Sequence, residues 1–82
     1  MGVAEDLADA LAQDVLKAIE LTGDENLVEE LAQLMGATSQ TAEEAFLTAV
    51  RVRRANIKAR QMLLERVKAF KAARGQGDQP AG

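Results

Sequence analysis

No cysteine and no histidine occur in this chain. The first absence excludes disulfides and thiolate metal sites; the second removes the residue that most often ligates metals and moves protons near neutral pH. Tryptophan and tyrosine are also missing, and two phenylalanines alone make no stacking platform for single-stranded nucleic acid. A single proline, at position 80, leaves almost the whole chain free of helix breakers of that kind. No apolar run approaches the roughly 20 residues that span a bilayer. The start, MGVAEDLADA, is acidic where a signal peptide is basic, and MGVAED lacks the hydroxyl residue of a myristoylation signal. The expectation is a cytoplasmic protein that does not engage membranes.

What is present is charge, unevenly placed. Residues 1–45 hold eleven acids against Lys17, a net of −10, whereas residues 46–82 hold nine bases against Glu65 and Asp78, a net of +7. Such a dipolar chain neutralises itself by folding one half on the other, or pairs its halves between molecules. At 82 residues it is one small domain at most, of a size that buries only about 60% of its unfolded surface. Help from a partner or a second copy is expected.

Periodicity predicts an all-α protein. In residues 3–22, Leu7, Leu11, Val15, Ala18 and Thr22 form an apolar stripe opposite Asp6, Asp9, Gln13 and Glu20, and Gly23 ends the helix. Asp24 reads as the N-cap of a shorter helix, about 25–35, with Leu27, Leu31, Leu34 and Met35 inward and Gly36 as its stop. TAEE, residues 41–44, fits a capping box between Thr41 and Glu44. From Ala42 to Arg74 no glycine or proline intervenes, so a long C-terminal helix, about 42–74, follows, with a bend near Asn56 left open. Residues 1–74 then make a single helical domain and 75–82, GQGDQPAG, a disordered tail.

The basic run RVRRANIKAR, residues 51–60, divides by direction. Arg51, Arg54 and Lys58 fall on a solvated outer face, whereas Arg53, Asn56 and Arg60 interrupt the apolar stripe. Buried guanidinium groups need partners, and Asp14 or Glu30 are the expected ones, within a chain or across a dimer. Asn56 sits in the run Ala45, Ala49, Val52, Asn56, Ala59, Leu63, whose four-three spacing is that of a coiled-coil seam, where a polar residue sets register. The first two helices span about 30 Å and 18 Å against about 50 Å for the third, so one end of the third stays uncovered, carrying Leu63, Leu64, Val67 and Phe70.

The expected function is therefore non-enzymatic: a protein–protein interaction module, such as a small adaptor, regulator or co-chaperone, binding a partner helix or a second copy. Homodimerisation is the expected assembly. The expected contact residues are Phe46, Val50, Ile57, Leu64, Val67 and Phe70 as anchors, with Arg53, Asn56 and Arg60 setting register. No catalytic, metal or cofactor residues are expected, and no small-molecule substrate. Glu29 and Glu30, or Glu43 and Glu44, diverge by 100° as helix neighbours, Ser39 has no base, and no Glu-x-x-His motif occurs.

Two resemblances bear on this. LVEELAQLMGATSQTAEEAF, residues 27–46, resembles a bacterial helix-turn-helix: Leu31 and Ala32 match the packed pair of its first helix, Met35 and Gly36 the apolar residue and turn glycine, Thr38 and Thr41 the start of its recognition helix. It implies DNA binding as the alternative function, with Arg51, Arg54 and Lys58 on phosphates. Ala37, Ala42 and Ala45 depart from it where larger aliphatics pack, and Glu43 and Glu44 would face phosphates. Met35, Gly36, Ala42, Ala45 and Phe46, followed by Asn56, Ile57, Ala59, Leu63 and Leu64, are similar to a ubiquitin-associated domain, without the aromatic after the glycine or a glycine in its second loop.

Overall fold

A computed structural model describes residues 2–78, and the side chains of residues 2–75. Three helices follow one another: α1 (Val3–Thr22), α2 (Leu27–Gly36) and α3 (Gln40–Asp78). Val3 and Leu7 of α1 lie near Met35 and Ala42, while Asp9, Gln13 and Leu16 lie near Val52, Asn56 and Ile57. α1 therefore runs in the same direction as α3. Glu25, just ahead of α2, reaches Arg54, and Gly36 at its end sits beside Glu43, so α2 runs the opposite way. Both shorter helices pack chiefly on α3 and only slightly on each other.

The core is small: Ala8, Ala12, Val15 and Ile19 of α1, Ala32 of α2, and Phe46 and Val50 of α3. Phe46 is fully enclosed. This face of α1 is turned by one residue from the expected stripe. Leu11 is partly covered, but Leu7 remains 66% exposed. The reason is steric: Ala8 and Ala12 bring the α1 backbone close enough to α3 for the Phe46 ring to fill the gap, which leucines there would prevent. On α2 the buried residue is likewise Ala32, with Leu27, Val28, Leu31 and Met35 at the edge, while the expected Leu34 faces solvent.

The helix boundaries follow from hydrogen bonds. Gly23 ends α1 as expected: its φ of 74° is left-handed, and its N–H donates to the Ile19 carbonyl at 2.7 Å. Asp24 acts earlier than expected, accepting from the Asn26 N–H at 3.0 Å to shape the turn, and α2 starts only at Leu27. At the third helix Ser39 takes the role assigned to Thr41. Its Oγ accepts from the Ala42 N–H at 3.1 Å, and its carbonyl accepts from the Glu43 N–H at 3.1 Å. α3 then continues through Asn56 as one helix of 39 residues, about 58 Å long. It reaches Asp78, so residues 75–78 of the expected tail are helical, and residues 79–82 lie outside the described part.

α1 and α2 cover α3 only to about Ile57. From Arg54 to Arg74 every residue of α3 is exposed. The molecule is thus a three-helix head with a single-helix arm, 65 Å in its longest dimension and 13 Å in its shortest.

Candidate functional site

The first feature to position is the junction of head and arm. The one-residue turn of α1 brings Asp9 to the edge of α3, where Arg53 meets it as a two-pronged fork. Arg53 Nε donates to Asp9 Oδ1 at 2.7 Å and one terminal amino group donates to Oδ2 at 2.8 Å. The hydrogen bond from Arg53 holds the Asp9 carboxyl below the usual carboxylate range, against a smaller opposing effect of desolvation, and the same bond raises Arg53. The pair is not sealed: the two side chains are 32% and 54% exposed. Asp14 and Glu30, the expected partners, point to solvent and do not reach Arg53.

Arg60 also departs from expectation. Its Nε donates to Asn56 Oδ1 at 3.1 Å, one turn back, so the two polar residues in the stripe satisfy each other rather than a carboxylate. Arg54, expected to be an ordinary surface cation, stands 3.5 Å from Glu25 across the end of α1. Further along, the Arg74 guanidinium lies over the Phe70 ring, 5.6 Å from its centre.

The second feature is the arm itself. Of the expected anchors, Ile57, Leu64, Val67 and Phe70 are exposed on it, at 41% to 60%. Phe46 and Val50 are not: both are buried in the head, because the two short helices cover nearly half of α3 and take those side chains into their core. They are removed from the contact set. Met62, Leu63 and Val52 are exposed as well, at 55%, 60% and 61%. The signal for Leu63 and Val52 was the four-three spacing; Met62 lies off that seam and had none.

The arm is also strongly basic. Residues 57–74 carry six bases against Glu65, a net of +5. Among the described residues no carboxylate pairs with Arg66, Lys68 or Lys71. On the other side of the head, Glu25, Glu29 and Glu43 gather beside Arg51 in a groove between α2 and α3. Of these only Glu43 lies beside Gly36, at the turn where a helix-turn-helix would approach phosphates, and a carboxylate there disfavours them.

Among the described residues no cluster of three or more histidine, cysteine, aspartate or glutamate side chains is placed to hold a metal ion. No described helix is long and apolar enough to cross a membrane. Comparison with protein-family models, with curated proteins and with solved structures found nothing that matches this chain.

Proposed function

We propose that this chain is a helical protein–protein interaction module whose working surface is the arm of α3. The observation that carries this reading is the uncovered apolar side of the arm, with Ile57, Leu63, Leu64, Val67 and Phe70 between about two-fifths and three-fifths exposed. Large apolar side chains grouped on one soluble surface mark an interface. The basic residues around them favour an acidic partner surface and speed the encounter. The role is that of an adaptor or regulator acting by contact, without bond-making chemistry.

The double substitution Leu63→Glu with Phe70→Glu tests it. Both side chains project from the arm and contribute nothing to the head, so helical content by circular dichroism stays close to that of the unchanged protein. Association, read by sedimentation for self-contact and by capture from an extract of the source cells for other partners, is lost. If both proteins sediment and capture alike, the arm is not the binding surface.

A further inference from the structure

A strip of α3 is exposed from Val52 onward and half-buried at Ala45 and Ala49, which pack against the edge of the core. At 100° per residue Ala45, Ala49, Val52, Asn56, Leu63 and Phe70 fall within an arc of roughly 60°. This strip runs along the flank that faces the Asp9–Leu16 side of α1, where Asp9, Gln13, Leu16, Val52, Asn56 and Ile57 line a groove at the junction of head and arm. Its two ends differ in height. On the head the side chains are alanines and a valine; on the arm they are leucine and phenylalanine.

We infer that the occupant of this strip is a second copy of the chain, docked antiparallel, so that the arm of each protomer lies along the head of the other. The inference rests on the arm being a binding surface and names its partner. A two-fold axis beside the Ile57–Lys58 bond sets Ala45 opposite Phe70, Val52 opposite Leu63, and Asn56 opposite Ala59 of the second copy. Ala45 then meets Phe70, Ala59 meets Asn56, Ala49 lies opposite Arg66, and Val52 meets Leu63, so alanines face larger side chains along most of an antiparallel seam. Asn56 falls at the centre, where its bond from Arg60 already satisfies one oxygen.

Charge selects this register over its competitors. A parallel pair, or arms crossing only each other, brings net +5 against net +5. Exchange of arms instead lays each basic arm on the half that carries a net of −10. Because α1 and α3 run in the same direction with Leu7 beside Ala42, the start of the second copy's α1, with Glu5 and Asp6, comes level with Lys71 and Arg74. Surface area points the same way. The chain exposes 6550 Å², against about 4,800 Å² for a compact monomer of its mass. The excess is larger than the roughly 800 Å² per partner that a standard interface requires.

The absence of native cysteine makes the register directly readable. Val52→Cys and Leu63→Cys are made as two separate single variants at exposed positions, mixed in equal amounts and oxidised gently. Each chain then carries one cysteine, so every disulfide joins two chains. The expected product is the mixed disulfide between the two variants, identified by mass spectrometry. The unmodified protein sediments as a dimer whose dissociation constant rises roughly tenfold or more between about 50 mM and about 500 mM salt. Disulfides formed mainly between two Leu63→Cys chains or between two Val52→Cys chains overturn the register. A monomer with no cross-link overturns the dimer, and arm-dependent capture of a different protein by that monomer would leave the arm's binding role standing.

Discussion

Arg53 shows how one side chain links the two halves of the charge pattern. The sequence places it inside an apolar stripe and so demands a carboxylate, but it names the wrong one, because α1 turns one residue further than its leucines suggest. Asp9, assigned by periodicity to the outer face, becomes the partner. The folded Asp9 carboxyl titrates below its unfolded value, so the pair contributes stability above about pH 4, and that contribution is lost as the pH falls through the lower folded value. Asp9→Asn is therefore expected to be less stable than the unchanged protein at pH 7. The difference in urea midpoint between the two should stay constant from pH 7 to about 5 and shrink only as the pH falls below about 4. A difference that does not change with pH would mean that the fork makes no electrostatic contribution.

The helices were legible as elements and less so at their edges. Gly23 was readable because only a left-handed residue closes α1 there, and glycine adopts that conformation without strain. The start of α3 was misplaced by two residues, since SQTAEE offers two hydroxyl residues and only the geometry decides which one caps. Ser39 is that cap, whereas Thr41 already lies within the first turn. Ser39→Ala is accordingly expected to cost about 1 kcal/mol in chemical denaturation, and Thr41→Ala less than about 0.5 kcal/mol. Equal effects would place the helix start elsewhere. The C-terminal limit near Arg74 falls short because GQGDQPAG carries no apolar periodicity, yet Gly75 does not take the left-handed conformation that closes α1 at Gly23, and α3 continues past it to Asp78.

Taken whole, the molecule has all of its core in one half. A compact chain of this length has a radius of gyration near 12 Å, whereas this one has 19.0 Å. Length arithmetic on the three helices foretold the imbalance; the division of apolar residues between core and surface it did not foretell. Phe46 and Leu64 both carry the third helix's apolar period, yet one is enclosed and the other 59% exposed. Phe46→Ala should therefore cost about 3–5 kcal/mol, enough to unfold a head this small. Leu64→Ala in dilute protein should change stability by less than about 0.5 kcal/mol. Similar losses at both sites would mean that the arm folds back on the head.

Residue order alone determined the helical class, the left-handed stop at Gly23, the excess length of the last helix and the opposition of an acidic half to a basic one, because each depends on local periodicity, backbone preference or a count of charges. Tertiary packing decided which face of α1 is buried, which acid holds Arg53, and which apolar residues of α3 stay in water. Those choices turn on how closely two helix backbones approach each other. Small residues such as Ala8, Ala12 and Ala32 govern that distance, and a reading weighted by hydrophobic bulk assigns them too little.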